Sequence, residues 1–590
     1  MGKVLVRILA VIGGLVIFGV VVGLLVVALM RAGKGGIPSK TILEVNLEQG
    51  IIEDLPDDPF AAFTLKDVPT LRGIVEALEK ARDDDRVVGL VARVGTAPLG
   101  MAQIQELRNA VIAFRAKKKP AVAYAETFGE FGPGGGAYYL ATAFDEIWLQ
   151  PSGDIGLTGV ILESPFVRGT LDKLGFKPRM DHRYEYKNAM NFYTDKKYDP
   201  HHREAMEKLM RSWFSQLVKG ISEGRHLTPQ QVESLADRGP FLGKEAQDAG
   251  LVDGMAYRDE VYARVKKKMG PGASFLYLDP YLKRAGRPHA SGKTIALIYG
   301  VGAVSRGEGG YSPFSGEDVM GADRVTAAFR QAVKDPAVKA IIFRVESPGG
   351  SYVASDSIWR ETVRAKKAGK PVVVTMGNLA GSGGYFVAMS ADKIVAQPGT
   401  ITASIGVLGG KFLSSEFWEK LGLSWDEVHS SANSTYWTGT HDYSEAEWAR
   451  FQAWLDRVYE DFTGKVAEGR KLPKEKVLQI AKGRIWTGED AKELGLIDEL
   501  GGFPEALRLA KEAANIPAKD EVNVKIYPAK KSPFQALFEE GPPSSEPEEA
   551  AVAALAKGMK EIQPTIRRIK MLAAGADAAV LTMPPFEASP

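Results

Sequence analysis

"FGPGGGAYYLATAFDEIWLQPSG" (Phe131–Gly153) and "LAGSGGYFVAMSADKIVAQPGT" (Leu379–Thr400) are two renderings of one pattern, and their likeness divides the chain in two. It continues outward from both. "VVGLVARV" (Val87–Val94) answers "AVKAIIFRV" (Ala337–Val345), and "FLGKEAQDAGLVD" (Phe241–Asp253) answers "WTGEDAKELGLID" (Trp486–Asp498). Residues from about 70 to 265 therefore echo those from about 320 to 510. On this register Ser382 falls opposite Gly135, and Lys187 falls opposite Ser434. A serine in one copy and a lysine in the other is the pattern of a duplicated catalyst that has divided its labour.

Within each copy helical patterns alternate with short β-branched runs. In the second, Val325–Asp335 reads as an amphipathic helix and Lys339–Val345 as a buried strand. Ser355–Gly369 is helical again, and Lys370–Gly377 is the next strand. A long helix over Glu445–Arg470 is matched in the first copy by Arg203–Arg225. Continuous apolar strands joined by helices point to an α/β fold with a parallel sheet flanked by helices. At 590 residues the chain is too long for one core. The divisions expected are 1–35, 36–285, 286–530 and 531–590. The copies meet in the polar linker Tyr281–Lys293, after which Thr294–Val304 is strand-like and opens the second domain. Glu48–Phe63 reads as an irregular approach segment. In the last division, Phe538–Ala551 is rich in Pro, Ser and Glu and reads as a flexible tether. Val552–Ala576, interrupted by Pro564, is either a docking or membrane-surface helix or a loosely packed tail.

Bulk properties exclude several classes. A net charge of +2 gives no electrostatic case for nucleic acid. With Cys 0 there is no disulfide framework, thiolate nucleophile or cysteine metal site. From Ile8 to Met30 the chain carries no charge, and Lys3, Arg7, Arg31 and Lys34 flank the run. About 20 apolar residues cross a bilayer core of roughly 30 Å, and the run exceeds the apolar part of a cleavable signal. The expectation is a single N-terminal transmembrane helix, with the long body translocated to the outer side.

Ser382 lies just past a strand and at the start of a helical pattern, in "AGSGGY". Gly381, Gly383 and Gly384 permit a sharp turn and leave the hydroxyl unobstructed. Read alone, this is equally a plain loop. A second glycine cluster, "VESPGGSYVASD" (Val345–Asp356), also follows a strand. Its Gly349 and Gly350 can turn backbone N–H groups toward the Ser382 turn, with the N–H of Gly383 as a further donor. Such donors stabilise the oxyanion of acyl transfer. A nucleophilic serine needs a base. The only histidines in its copy, His429 and His441, lie in neither a glycine-shaped nor an acidic context. Lys187, in "YKNAM", is the alternative, provided burial brings its amine from about 10.4 toward neutrality. Tyr184, Tyr186, Met190 and Phe192 are the candidate apolar wall; an exposed lysine is the competing reading.

"SPGG", "AGSGGY" followed by "TASIGVLGG", and the lysine of "YKNAM" in the preceding copy together resemble a signal peptide peptidase of the protease IV type, in its long, duplicated form. The resemblance runs from the anchor to about residue 530. It implies two tandem Clp-protease/crotonase-like repeats and a Ser–Lys dyad, with Ser382 as nucleophile and Lys187 as general base. It further implies that Ser404 orients the lysine and that the amides of Gly349 and Gly383 form the oxyanion hole. It implies no cofactor and no metal. The expected partners are apolar peptides, above all cleaved signal peptides, and the expected assembly is a homotetramer on the periplasmic side of the bacterial inner membrane. The sequence departs from the family at Glu185 and Asn191, and at Val94–Ala102, where the first copy lacks the "SPGG" loop. Two other readings remain: a catalytically silent membrane scaffold, and a crotonase-like enzyme of coenzyme A thioesters.

Overall fold

Six strands of the first repeat form one parallel sheet, in the order Ser274–Tyr277, Thr41–Asn46, Val87–Arg93, Ala121–Ala125, Glu146–Leu149 and Gly254–Met255. The computed structural model describes residues 35–56, 61, 64–65, 68–312, 316–529, 580–582 and 587–589, and all structural statements concern those residues. The second repeat builds the same order from Val522–Tyr527, Lys293–Val301, Val338–Ser347, Val372–Gly381, Lys393–Ala396 and Glu499–Leu500. Ile401–Ala403 pairs with the far end of Val372–Gly381, and Ile485–Thr487 pairs antiparallel beside it. The strand Val338–Ser347 is buried along most of its length, as apolar strands covered on both faces must be.

Equivalent side chains brace the two copies in equivalent ways. The Tyr138 hydroxyl donates to Leu251 O at 2.7 Å, and that of Tyr385 to Leu496 O at 2.8 Å. Arg225 pairs with Asp253 as Arg470 pairs with Asp498, each at 2.9 Å. The carboxylates of Asp145 and Asp392 each accept a backbone N–H, from Ala121 and Val372, at 2.8 Å. The long helices also correspond. Glu445–Arg470 starts in a capping box between Ser444 and Glu447. Pro200–Arg225 starts on Asp199, with proline in its first turn.

The expected linker is shorter than the sequence suggests. Leu278–Ala285 is a helix whose Tyr281 and Leu282 are buried in the first core, and Lys293 already opens the next strand. The apolar run Ile8–Met30, the tether Phe538–Ala551 and the stretch Val552–Ala576 lie outside the described residues. Among the described residues no helix is long and apolar enough to cross a membrane.

Polar contacts weld the repeats. Arg344, buried in the second sheet, reaches Glu53 at 2.9 Å and Glu106 at 3.1 Å, both from the first repeat's half of the chain. Glu106 also accepts the N–H of Phe503 at 2.6 Å, and the Trp213 indole donates to Gly399 O at 2.9 Å. The loop that in the first copy lacks "SPGG" serves this interface as well. Gln103 N donates to Asn378 Oδ1 at 3.1 Å, and a Cβ on Gly100 would lie 2.2 Å from the same side chain.

A third, seven-stranded sheet carries the site. Its order is Gly309–Ser312, Glu317–Gly321, Ala303–Ser305, Gly349–Ser351, Val580–Thr582, Leu408–Leu413 and Lys177–His182. The last strand belongs to the first repeat and runs antiparallel to Leu408–Leu413, from Leu408↔His182 to Leu413↔Lys177. The first copy thus adds an edge strand to the second, and the chain leaving that strand leads directly to Lys187.

Candidate active site

Ser382 sits between the strand Val372–Gly381 and the short helix Gly383–Phe386, with φ 53° and ψ −112°. This is a strained turn for a residue with a Cβ, and such strain concentrates where a side chain must be presented at a fixed angle. Ser382 N donates to Ala403 O at 2.6 Å, which holds the turn. Glycines are required on either side. A Cβ on Gly383 would lie 2.7 Å from Ser355 Oγ and 2.9 Å from Gly350 N, and one on Gly384 would lie 2.6 Å from Ser347 O.

Lys187 reaches Ser382 from the other repeat, 195 positions away in sequence, with Nζ 2.6 Å from Oγ. Both residues have 0 % exposure. Lys187 Nζ also donates to Ser404 O at 3.0 Å and to Ser404 Oγ at 3.1 Å. Among the described residues no carboxylate pairs with it. Burial without a counter-charge holds the Lys187 amine well below its ordinary value. The neutral amine is therefore the accessible form, and only that form can accept the serine proton.

Close packing of the main chain makes this burial possible. Tyr186 N donates to Lys482 O at 3.1 Å and Arg183 N to Val407 O at 2.9 Å, so the loop is laced to the second repeat on both sides of the lysine. Gly483 has φ +82°, and a Cβ there would lie 2.5 Å from both the backbone N and the Cβ of Lys187. A Cβ on Gly406 would lie 3.2 Å from Lys187 Cδ. The expected aromatic wall is placed differently: Tyr184 is 49 % exposed, and the Tyr186 hydroxyl bonds Glu204 at 2.5 Å. Glu185, one of the departures from the family, pairs with Lys482 at 2.8 Å. The other, Asn191, donates to Asp199 at 2.5 Å.

Ser404 itself has φ 52°, and its Oγ lies 3.3 Å from Gly483 O. The loop Ser347–Ser351 passes the serine turn with Gly349 at φ +96°, and Gly349 N donates to Ser347 Oγ at 3.1 Å. Ser382, Lys187, Ser404, Gly349 and Gly383 are thus gathered at one place. Gly406 and Gly483 join them, although neither was singled out in the sequence, where close approach by a segment some two hundred positions away leaves no local mark. His429 and His441 stand apart from the serine, both against Glu427 at the surface. In the first copy Gly135 opens the helix Gly135–Ala141 where the second copy has its serine turn, and Ser434 is exposed.

A nucleophilic-type serine beside a buried amine is the equipment of a serine hydrolase, and comparison with known proteins agrees. The family model described as Peptidase family S49 matches residues 113–270 and 364–517. Protease 4 of Salmonella typhi is 33% identical over 462 residues, covering 76% of this chain and 72% of that one. Protease 4 of Haemophilus influenzae is 30% identical over 525 residues, covering 83% of each. The chloroplastic serine protease SPPA of Arabidopsis thaliana is 30% identical over 463 residues, covering 77% of this chain and 67% of its own. The chain belongs to peptidase family S49, as a serine peptidase of the protease IV type.

Proposed function

We propose that the chain is a membrane-anchored serine endopeptidase that works through a Ser382–Lys187 dyad and degrades apolar peptides, cleaved signal peptides among them. The observation that carries this reading is the 2.6 Å contact between a buried, uncompensated lysine and a serine in a strained turn. Lys187 takes the Ser382 proton as Oγ attacks the scissile carbonyl. The tetrahedral oxyanion is met by the N–H groups of Gly349 and Gly383. For Gly349 this means exchanging its present bond to Ser347 Oγ for one to the substrate. The ammonium of Lys187 then protonates the leaving amine, and an acyl-enzyme forms. Water, deprotonated by the same amine, hydrolyses that ester and releases Ser382. Ser404 orients the amine throughout.

The apolar preference draws support from the rim of the site. The segment after Leu408–Leu413 folds back beside that strand, with Lys411 Nζ donating to Tyr436 O at 3.2 Å. It exposes Leu421, Leu423 and Val428, with Trp425 at 62 % and Trp437 at 78 % exposure. Such a patch suits apolar chains. The anchor in Ile8–Met30 would hold the body at the bilayer where such peptides are released, on the periplasmic side of a bacterial inner membrane. Repeats of the Clp-protease/crotonase type and a homotetrameric assembly complete the reading.

The test is hydrolysis of a fluorogenic apolar peptide by the detergent-solubilised full chain, alongside Ser382→Ala and labelling by a fluorophosphonate. Turnover and labelling of the parent, both abolished in the variant, are expected. A parent that neither turns over a broad peptide panel nor reacts with the probe would return the silent scaffold or the thioester enzyme to first place.

A further inference from the structure

Val580–Thr582, close to the C-terminus, lies in the third sheet between Gly349–Ser351 and Leu408–Leu413. It runs antiparallel to the first of these, with Gly349↔Thr582, Gly350↔Leu581 and Ser351↔Val580. Val580 is also opposite Leu408, in antiparallel pairing. Gly349 carries one of the two amides assigned to the oxyanion hole, so Thr582 stands at the register a substrate residue beside the scissile bond would take. A peptide backbone paired on both sides satisfies its N–H and C=O groups in the slot without calling on particular side chains.

A second clamp follows. Glu587–Ser589 pairs antiparallel with Ile161–Glu163 of the first repeat, from Glu587↔Glu163 to Ser589↔Ile161. Between the two clamps the sequence is Met583-Pro584-Pro585-Phe586. Proline lacks an N–H and fixes φ, so a ladder that reaches Thr582 cannot run on through Pro584 and Pro585.

We infer that the C-terminal segment Val580–Thr582 is a tethered, substrate-like strand that occupies the peptide slot of its own chain and competes with incoming substrate. This rests on the peptidase reading of the site. A flexible tether gives a segment an effective concentration of about 1 mM. A strand with an intrinsic Kd of about 100 µM would then fill the slot about nine-tenths of the time and raise the apparent KM about tenfold. Substrate enters when the strand leaves, and kcat is unaffected.

The test compares the full chain with its Leu581→Pro variant, which loses an N–H in the middle of the inserted strand. With a fluorogenic apolar peptide, the variant is expected to show an apparent KM about tenfold lower at unchanged kcat. The synthetic peptide 577–590 should inhibit the variant competitively. Equal KM values with no inhibition by the peptide would overturn the inference while leaving the peptidase intact. If both chains are inert, the peptidase reading itself fails. Fluorescence anisotropy of labelled peptide 577–590 then still decides on the slot: binding to the variant but not to the parent supports the tethered strand, and no binding, or equal binding to both, overturns it.

Discussion

Gly483 and Lys187 fit together as a gap and the segment that fills it: the glycine's missing Cβ is the space the lysine backbone occupies, with 2.5 Å between the position of that Cβ and Lys187 N. The φ of +82° adds a second reason for glycine. Gly483→Ala should therefore push the lysine away from Ser382. A displacement of about 1 Å is worth on the order of 10² in rate, so kcat is expected to fall by about that factor. The strained backbone should cost about 1–3 kcal/mol of stability. Steady-state kinetics and thermal unfolding of the same preparation check both.

Lys187→Met should separate activity from stability. Loss of a general base lowers kcat by about 10²–10⁴-fold. Stability moves the other way. The folded chain holds this amine below its unfolded value, so between those two values the unfolded chain binds the extra proton. Stability from this group therefore rises with pH across that window, which ends near 10.4, and at neutral pH the buried lysine is a net cost. The methionine variant is expected to melt higher than the parent at pH 7, by a margin that shrinks as pH rises. In the parent, kcat/KM should climb with pH as the amine loses its proton. A variant that melts no higher at neutral pH would contradict the uncompensated burial of the lysine.

Ser404 gives Lys187 a hydroxyl and a carbonyl, and Ser404→Ala removes only the former. One hydrogen bond is worth about 1 kcal/mol, so kcat is expected to drop roughly five- to tenfold with little change in melting temperature. Ser404→Thr restores the hydroxyl but places a β-branched residue at φ 52°, an outlier for that side chain. It should be less stable than the alanine variant. Reversed rankings would show that the position acts through something other than the hydroxyl and the backbone turn.

Glu346 precedes the oxyanion loop and accepts the N–H of Asn378 at 2.5 Å. Burial, reinforced by the charge of Glu53, pushes its carboxyl up to about 8 against the pull of Arg344. In the unfolded chain the same group titrates near 4.3. Between these values the folded chain holds the extra proton, so this group's contribution to stability declines as pH rises from about 4.3 to 8. Glu346→Gln removes that slope. Melting curves from pH 5 to 8 should be flatter for the variant than for the parent, and parallel curves would count against the assignment.

The sequence disclosed what depends on short-range pattern. The helix Glu445–Arg470 is marked by its capping residues and periodic apolar face. The buried strands around Val338–Ser347 and Val372–Gly381 are marked by unbroken β-branched runs. Ser382 is flagged by glycines that act within three residues of it. Lys187 was legible only through the register between copies and the family resemblance, since the surroundings that bury it come from the other repeat. What stayed hidden has no local signature. Lys177–His182 is a polar edge strand without apolar alternation. Gly406 and Gly483 matter only because of a segment that folds against them. Tyr184 looked like a wall for the lysine, yet it stacks on Tyr459 with ring centroids 4.6 Å apart and remains half exposed. The inserted strand Val580–Thr582 is three ordinary residues whose partners lie more than 150 positions upstream.

The edge strand Lys177–His182 and the lysine beyond it also govern when this chain becomes dangerous to its maker. Domains emerge and fold from the N-terminus first during synthesis. The half that leaves the ribosome first carries an amine with nothing to activate, and a product broken off in mid-translation is harmless. The later half, expressed by itself, would hold a serine with no partner to take its proton. A hydrolytic centre comes into being only when a complete chain has closed upon itself, so the division of labour between the copies acts as a safeguard without a removable prosegment.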